Sequence, residues 1–341
     1  MALLAVTAAL WLMGCAHRTQ QPMTLSGETQ GTYYSVIYYD SLHRDMQPLV
    51  DSLLHTVDIT ASLWVDTSLL CRVNRNETDT LTPLFADMLR KSLGMAEYTH
   101  GAFDCTVGAL VQAWGFATQG PQNPARSVLD SLRRYTGLGR IALHDGGYGV
   151  CRIVKQHMET RLDFNAIAQG ITSDLIAHAL CQRGIRNCLV DVGGEVVARG
   201  AKPDGTPWVV GIERPAKNKY SSPQVALAIA LHNASVVTSG SYRKYYEKDG
   251  VRYSHTIDPA TGRPVRHSLL SVSVVDSVAW RADALATAFM VMGLDSSRRF
   301  IASHPLDSGA GCALFLYDSA GCNAEWATPA FKKLIINQEN H

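Results

Sequence analysis

The order of helix and strand patterns is the feature of this sequence that most constrains its fold. Apolar residues recur at helical spacing in segments 43–61, 83–99 and 171–183, and Gly184 stands where a helix cap belongs. Strand patterns, rich in β-branched and aromatic residues, lie at 32–39, 187–192, 208–213, 224–231 and 270–276. The sequence does not follow the strict βαβ alternation of a parallel sheet, so it predicts an α+β fold of mixed sheets with packed helices.

Shorter patterns complete the predicted elements. Further helices are expected at 107–116, in a short segment ending at Tyr135, and at 282–292, where Gly293 ends the helix. Hairpins are expected around Asp145-Gly146-Gly147 and around Asp318-Ser319-Ala320-Gly321.

Composition favours a globular protein that binds no nucleic acid. The chain has 341 residues, of which 46% are hydrophobic and 18% are charged. This is enough for one large domain or two modest ones, and we expect a single large catalytic domain. A net charge of +1 gives no electrostatic basis for nucleic-acid binding.

The N-terminus has the pattern of a bacterial lipoprotein signal. Residues 1–14 are apolar and end in Leu12-Met13-Gly14, and Cys15 follows. Cleavage before Cys15 would leave it as the lipidated first residue, with residues 15–27 as a polar tether. The segment carries no Lys or Arg before its apolar core, and a buried N-terminal helix is the alternative. The pattern predicts a protein anchored by lipid to a membrane of the bacterial cell envelope and facing the periplasm.

The other seven cysteines do not form a recognisable framework. Their count is odd and no CxxC pair occurs, which argues against both a full disulfide framework and a zinc ribbon. Most lie in apolar context, so we expect them in the core.

The stretch from Thr238 to Pro264 carries the densest set of polar chemistry. It combines hydroxyls, glycines and turn formers around His255 and Asp258. Backbone N–H groups of such turns, together with small hydroxyls, suit a polyphosphate. A polar hairpin with a hydrogen-bonded histidine is the alternative.

A carboxylate and a hydroxyl share one face of the helix predicted at 282–292. Asp283 and Thr287 are four residues apart, so both side chains point from the same face. Two oxygen ligands suit Mg²⁺, which takes its remaining ligands from phosphates and water. A helix-start Asp stabilised by the helix dipole is the alternative for Asp283.

Residues 162–174 join an extended apolar piece to a helix start. Gly170 allows a close backbone approach, and Thr172 stands in the first helical turn. Unbonded N–H groups at such a start favour an anion, and Thr172 offers a third metal ligand. A plain helix cap is the alternative.

Aromatic residues offer surfaces on which a ring system stacks. They lie in Gly101-Ala102-Phe103-Asp104, in Trp114-Gly115-Phe116 and at Trp64, and Asp104 is a hydrogen-bond acceptor beside them. Core packing is the alternative for each aromatic ring.

Together these segments resemble the ApbE family of FAD:protein FMN transferases. The similarity comprises seven ordered motifs from about residue 28 to the last strands, and it assigns a flavin transferase domain to residues 28–338. The motifs are Gly31-Thr32-Tyr33-Tyr34, Ser62 to Asn74, Gly101 to Phe116, Asp163 to Gly170, Gly193-Gly194, Thr238 to Pro264 and Ala282 to Ala288.

The resemblance implies a role for each matching residue. Thr172, Asp283 and Thr287 match the ligands of Mg²⁺, and His255 matches the catalytic histidine. Positions that line the FAD site correspond to Gln30, Trp64, Ala102, Phe103, Asp104, Gln169 and Ile257. The implied partners are FAD and an acceptor flavoprotein, such as a redox-pump subunit, which receives FMN on a Ser or Thr hydroxyl.

Three residues depart from the family pattern. Gln169 replaces a lysine, Trp64 stands where tyrosine is frequent, and Glu195 stands where aspartate is common. None of them belongs to the expected metal set, so we expect activity with altered affinity.

Two other functions use the same residues. An FAD pyrophosphatase would give the phosphorus to water and release FMN and AMP, and a non-catalytic FAD-binding lipoprotein would store the flavin. The presence of His255 together with Asp283 and Thr287 argues against a protein that only stores flavin, because storage requires neither a proton-transfer group nor metal ligands.

Overall fold

A computed structural model describes residues 21–116, 120, 122–147, 150–215, 224–241, 245–248, 251–304 and 312–336. The predicted signal segment 1–14 and the predicted lipidation site Cys15 lie outside the described residues. Within the described part, no helix is both long and apolar enough to cross a membrane.

Helices and strands are mixed along the described chain, as expected for an α+β fold. The helices are α1 (Gln47–Ala61), α2 (Leu69–Asn74), α3 (Pro83–Tyr98), α4 (Gly108–Ala113), α5 (Arg126–Leu132), α6 (Ala168–Gln182), α7 (Ala279–Ser303) and α8 (Pro329–Lys332), and a short 3₁₀ helix spans Arg133–Tyr135.

The strands fall into one large sheet and four small ones. The large sheet contains β1 (Met23–Thr29), β2 (Thr32–Tyr38), β6 (Cys188–Val192), β7 (Glu195–Arg199), β10 (Ser235–Gly240), β15 (Leu269–Asp276), β16 (Cys312–Ser319) and β17 (Cys322–Ala327). The small sheets contain β3 (Thr80–Leu81), β4 (Ile141–Asp145), β5 (Cys151–Lys155), β8 (Trp208–Arg214), β9 (Gln224–Leu231), β11 (Tyr245–Lys248), β12 (Val251–Ser254), β13 (Ile257–Asp258) and β14 (Arg263–Pro264).

The large sheet is antiparallel and carries the core on both faces. Its order is β1-β2-β6-β7-β10-β15-β16-β17. Because side chains alternate along a strand, Val272 and Val274 pack on one face and Val275 packs on the other. The first face is covered by α1, α3, α6 and α7, and the second by the β8–β9 hairpin and α8. Helices α6 and α7 therefore pack side by side on the first face of the sheet.

A buried asparagine fixes the chain where it enters α6. The Asn74 side chain, at the end of α2, donates from Nδ2 to the Leu162 carbonyl at 2.9 Å and accepts from the Leu162 N–H at 2.7 Å. Both backbone groups of Leu162 are therefore satisfied in the interior, where an unpaired group is costly. The following residues lead directly into the first turn of α6.

The helix that carries Asp283 differs from its predicted form. It starts at Ala279 and continues past Gly293 to Ser303, whereas the sequence predicted an end at Gly293. Gly293 does leave the helical conformation, with φ 73° and ψ 173°. The helix resumes because buried residues on its second half, Ser297 and Phe300, pack onto the same core. Gly293 is therefore a break inside the element rather than its end.

Other boundaries also differ from the predictions, and two of them bear on the site and on the extent of the domain. Helix α6 starts at Ala168, three residues before the predicted start. Strand β1 starts at Met23, inside the segment predicted as a tether, so the folded part begins before residue 28. The sequence pattern resembles a tether because most residues of this strand are polar and face solvent at the sheet edge, while its backbone pairs with β2.

Candidate active site

Helices α6 and α7 approach each other closely at Gly170, in the first turn of α6. A Cβ atom at this position would lie 2.7 Å from the Ala279 carbonyl oxygen and 2.9 Å from the Trp280 Cα, both of them backbone atoms. The absence of a side chain therefore allows the two helices to touch. The Gly170 N–H, which has no partner inside α6, donates to Asp283 Oδ2 at 3.1 Å.

Asp283 is a carboxylate almost fully removed from water. Its residue is only 4% exposed. Burial raises its pKa to about 7, the Gly170 hydrogen bond opposes that rise, and the nearby Asp174 carboxylate adds to it. Among the described residues no Lys, Arg or His forms an ion pair with Asp283. A cation bound at this carboxylate would replace the missing counter-charge.

Thr287 lies one turn beyond Asp283 on the same face of α7. Its Oγ1 lies 3.3 Å from the Ser239 hydroxyl, near the end of β10. The neighbouring Thr238 hydroxyl bonds to Ser273 Oγ at 2.7 Å. Because side chains alternate along a strand, Thr238 points to the other face of the sheet, and Ser239 is the β10 hydroxyl that reaches α7. Ser239 thus joins the site although no sequence motif assigned it a separate role.

Thr172 is linked to the turn between β1 and β2 through Gln30. Gln30 Nε2 donates to Thr172 Oγ1 at 2.8 Å, and the Thr172 hydroxyl donates to the Ala168 carbonyl at 2.7 Å. Gln30 Oε1 is buried and accepts no hydrogen bond from the described residues. Its carbonyl oxygen is therefore available to a bound ligand. The predicted metal residues lie on adjoining helices: Thr172 on the second turn of α6, beside Gln30, and Asp283 and Thr287 on the second and third turns of α7.

Gln169 lies beside the glycine pair that follows β6. A Cβ atom at Gly193 would stand 2.9 Å from Gln169 Nε2 and 3.2 Å from Glu195 Oε2. Gly193 also has a φ of 67°, a left-handed backbone conformation that favours glycine. Two of the three departures from the family pattern, Gln169 and Glu195, thus lie near one another.

His255 is half-buried in a bend between β12 and β13. The bend is held by the Ser254 hydroxyl, which accepts from the Thr256 N–H at 3.2 Å, and by the Val265 N–H, which donates to the Thr256 carbonyl at 3.0 Å. The sequence predicted a strand running through His255 into a turn, whereas β12 ends at Ser254. His255 therefore projects from a bend of defined shape.

Ile257 anchors this bend to helix α4. Its side chain is buried in a small cluster with Leu110 and Trp114. The indole Nε1 of Trp114 donates to the Gly262 carbonyl at 2.8 Å, and its ring lies 5.7 Å from that of Tyr253. Ile257 and Trp114 are thus packing residues, and the stacking surface predicted for Trp114 is not exposed.

The other residues predicted to line a stacking surface also differ in exposure. Trp64 is 57% exposed in the loop after α1, where the Ser62 hydroxyl accepts from the Trp64 N–H at 3.1 Å. Phe103 is buried in the core, so its ring is not a stacking surface. Of Trp64, Phe103 and Trp114, only Trp64 presents an open face, and Phe116 is half-buried against the cluster of Leu110 and Trp114. Ala102 is partly buried against the same core as Phe103.

Asp104 is engaged in shaping the entry to α4. Its Oδ1 accepts from both the N–H and the hydroxyl of Thr106, at 2.7 and 2.6 Å, and the Thr106 hydroxyl accepts from the Gly137 N–H. Burial raises the pKa of Asp104, and these hydrogen bonds oppose that rise. The carboxylate therefore orders the Asp104–Thr106 segment.

The sequence did not indicate the role of Asp174. Its Oδ2 accepts from the Trp280 N–H at 3.0 Å, which caps the start of α7 from the body of α6. A single carboxylate inside a helix pattern gives no signal for a cap on another helix, because the two segments are 106 residues apart.

Comparisons with known proteins give a consistent result. The model of the ApbE family matches residues 30–310. The FAD:protein FMN transferase of Escherichia coli K12 is 33% identical over 351 aligned positions, which cover 98% of this chain and 97% of that protein. The enzyme of the same name from Vibrio cholerae (strain O395) is 35% identical over 305 positions, with 85% and 87% covered.

Solved structures agree with the sequence comparisons. The flavin transferase ApbE from Vibrio cholerae superposes with a TM-score of 0.79 at 30% identity, over 92% of this chain and 99% of that one. The ApbE protein from Thermotoga maritima gives 0.82 at 26% identity, over 93% and 100%.

The contact at Gly170 gives a testable prediction. Gly170→Ala places a Cβ against the backbone of α7, so we expect a loss of about 1–3 kcal/mol in the free energy of unfolding, measured by denaturant titration. The matched control is Gly94→Ala inside α3, where a Cβ meets nothing within 4 Å. That substitution should stabilise the protein by up to about 1 kcal/mol. Equal effects of the two substitutions would contradict the close contact of α6 with α7.

Proposed function

The chain belongs to the ApbE family, and we propose that its FAD:protein FMN transferase activity depends on Mg²⁺ held by Thr172, Asp283 and Thr287. The observation that supports this most directly is the burial of Asp283 without a cationic partner in the described part of the chain. A buried carboxylate is stable in its charged form when it binds a cation. Two hydroxyls beside it complete an oxygen-rich ligand set of the kind that Mg²⁺ prefers.

The described residues also limit the kind of metal site. They contain no group of three or more His, Cys, Asp or Glu side chains arranged to hold a metal ion. One carboxylate with hydroxyls leaves coordination positions for the substrate, which is how Mg²⁺ is bound in many phosphate-processing sites. The diphosphate of FAD would supply those oxygens.

The reaction joins FMN to the acceptor and releases AMP. FAD is an anhydride of FMN and AMP, and displacement at the FMN phosphorus requires neutralised phosphate charge and an aligned nucleophile. When bound, Mg²⁺ supplies that neutralisation. The side chains of Asp283, Thr287 and Thr172 would hold that ion, and Gln30 fixes the position of the Thr172 hydroxyl.

His255 is the residue that we assign to proton transfer. We propose that it takes the proton from the Ser or Thr hydroxyl of the acceptor as this oxygen attacks the phosphorus. An imidazole can accept a proton near neutral pH. The packing of Ile257 and Trp114 holds the His255 bend to α4, which supports a fixed position for the ring.

The remaining predicted residues form the surface around FAD. We propose that Trp64 stacks on a ring of the flavin or adenine, since its face is open to solvent. Ala102, Phe103 and Asp104 would contribute mainly through their ordered backbone. Gln169 would contact the phosphates or flavin as a neutral amide, and Ile257 would act by positioning the bend.

The acceptor and the cellular location are proposals from the sequence. We propose an exported flavoprotein, such as a redox-pump subunit, as the acceptor. We also propose that residues 1–14 are removed and that Cys15 carries the lipid that holds the enzyme on a membrane of the cell envelope, facing the periplasm.

The test of the function is an acceptor flavinylation assay. The enzyme is incubated with FAD, Mg²⁺ and a candidate acceptor, and the acceptor is examined by mass spectrometry. Transfer adds one FMN to a Ser or Thr of the acceptor and releases AMP. Free FMN and AMP in the absence of acceptor would favour the pyrophosphatase, and tight FAD binding without turnover would favour the flavin store.

Asp283→Asn tests the metal site with little change in shape. Asparagine still accepts the Gly170 N–H but carries no charge, so we expect FMN transfer to fall at least about 100-fold and Mg²⁺ dependence to be lost. The control is Asp295→Asn, an exposed residue on the second half of α7, which should keep wild-type transfer. Full activity of Asp283→Asn, or of the wild type in EDTA, refutes the assignment.

His255→Ala tests the proposed base. We expect FAD binding, measured by fluorescence titration, to remain at the wild-type affinity while transfer falls by about 10²–10⁴-fold, the usual contribution of a general base. His232→Ala, on an exposed turn remote in sequence, serves as the control. A wild-type transfer rate in His255→Ala would place the base elsewhere.

Cys15→Ser tests the lipid anchor. Without the cysteine no thioether-linked lipid can form, so we expect the protein to move from the membrane fraction to the soluble fraction of cells, as followed by immunoblot. Cys322→Ser, an exposed cysteine in β17, should leave the distribution unchanged. Membrane retention of Cys15→Ser would argue against lipidation at this residue.

A further inference from the structure

Two cysteines meet where the end of α6 contacts the start of β6. Cys181 is the penultimate residue of α6, and Cys188 is the first residue of β6. Helix α6 packs on β6, and Arg199, which stands opposite Cys188 in the β6–β7 pair, lines the same cavity as Cys181, so the two thiols share one neighbourhood. Cys188 is completely buried, whereas Cys181 is partly exposed. The pair therefore has one accessible and one shielded sulfur.

Cys181 lines a cavity of about 470 Å³ that opens on the side of α6 away from Thr172. Asp174, His178 and Cys181 recur at helical spacing and share that face. Thr172 lies nine residues before Cys181, which is half a turn away around the helix axis. The cavity is thus separate from the proposed FAD site, and the chemistry of Cys181 is independent of the proposed function.

Charged groups surround the accessible thiol. The cavity also contains Lys91 and Arg199, and Arg199 stands directly opposite Cys188 in the β6–β7 pair. Asp174 is the acidic group on this face, with its Oδ1 3.7 Å from an Arg199 nitrogen. The pKa of Cys181 is lowered to about 6. The neighbouring Cys188 thiol has the largest lowering effect, the charges of Arg199 and His178 have smaller ones, and burial opposes them.

The other buried cysteines lack this environment. Burial raises the pKa of Cys105 well above its usual range and raises that of Cys312 to about 12. Such thiols remain protonated and attack a free disulfide slowly, because the thiolate is the nucleophile. The neighbouring Cys181 and burial also raise the pKa of Cys188 well above its usual range, so Cys188 acts only as the second thiol, on a mixed disulfide already formed at Cys181. Cys181 combines access from a cavity, neighbouring cations and a second thiol nearby.

We propose that Cys181 and Cys188 form a reactive dithiol that small-molecule disulfides oxidise to an intramolecular disulfide. The Cys181 thiolate attacks one sulfur of the reagent RSSR in the cavity, which forms a mixed disulfide and releases RS⁻. Cys188 then loses its proton to water and attacks the Cys181 sulfur, releasing the second RS⁻. Two electrons pass from the protein to the reagent, which ends as two RSH.

Oxidation would join the end of α6 covalently to the sheet. The disulfide would close the short connection between residues 181 and 188, and it would restrict the separation of α6 from β6. The first turns of α6, with Gly170 and Thr172, lie at the other end of the same helix.

The experiment uses the folded full-length chain and oxidised glutathione as the probe. Arg183 and Arg186 lie between the two cysteines, so trypsin separates them into peptides 162–183 and 187–199. After oxidation and alkylation of remaining thiols, a non-reducing digest should contain these two peptides linked, with the mass of two hydrogen atoms lost. Absence of the linked pair, or its formation only in denaturant, would overturn the proposal.

Single substitutions separate the two roles. In Cys188→Ser the resolving sulfur is missing, so glutathione should remain attached to Cys181. In Cys181→Ser the buried Cys188 should stay reduced. Cys322→Ser, an exposed cysteine of β17, should still form the linked peptides. Glutathione remaining on Cys181 in the wild type would show that Cys188 does not act as the resolving thiol.

The pH dependence of alkylation gives an independent readout. In Cys188→Ala, where the neighbouring thiol is gone, the pH midpoint for alkylation of Cys181 by iodoacetamide should rise above that of the wild type, near 6. Arg199→Gln should also raise the midpoint, because it removes a cation next to the thiolate. A wild-type midpoint near about 8.5, the ordinary value for a free cysteine, would contradict an activated thiol.

Discussion

The contact between the Gly170 N–H and the Asp283 carboxylate is the interaction on which the rest of the site depends. It occurs where two helices touch backbone to backbone, so the carboxylate enters the interior with one hydrogen bond and no described cationic partner. A carboxylate in that position is unstable in its charged form unless a cation joins it. The packing of α6 on α7 therefore accounts for both the need for the proposed metal and its place.

The large sheet explains why the other proposed ligands lie close to this contact. Helices α6 and α7 cover the same face of the sheet, and β10 ends against α7, which brings Ser239 to Thr287. The turn between β1 and β2 reaches the first turns of α6 from the same sheet, so Gln30 contacts Thr172. Gln30 and Thr172 are 142 positions apart in the sequence, and they meet because the order of strands places the β1–β2 turn beside α6.

The sequence was sufficient for the fold class and most elements, since helical and strand periodicities are local properties. Its motifs also pointed to the proposed metal residues. It could not show that Phe103 and Trp114 are buried or that Asp174 caps α7, because burial and capping of a distant helix depend on tertiary contacts. It also placed the end of α7 at Gly293, where a local break is overridden by the packing of Phe300. The polar edge strand β1 escaped notice for a related reason: its order comes from backbone pairing rather than from side-chain pattern.

The two faces of α6 carry different chemistry, and this follows from helical geometry. Residues near Gly170 and Thr172 face α7 and the β1–β2 turn, where backbone approach and hydroxyl oxygens dominate. Asp174, His178 and Cys181 face a cavity bounded by Arg199 and Trp280. Asp174 links the two sides, since it caps the start of α7 and also lies near Arg199. Asp174 therefore belongs both to the wall of the cavity and to the cap of α7.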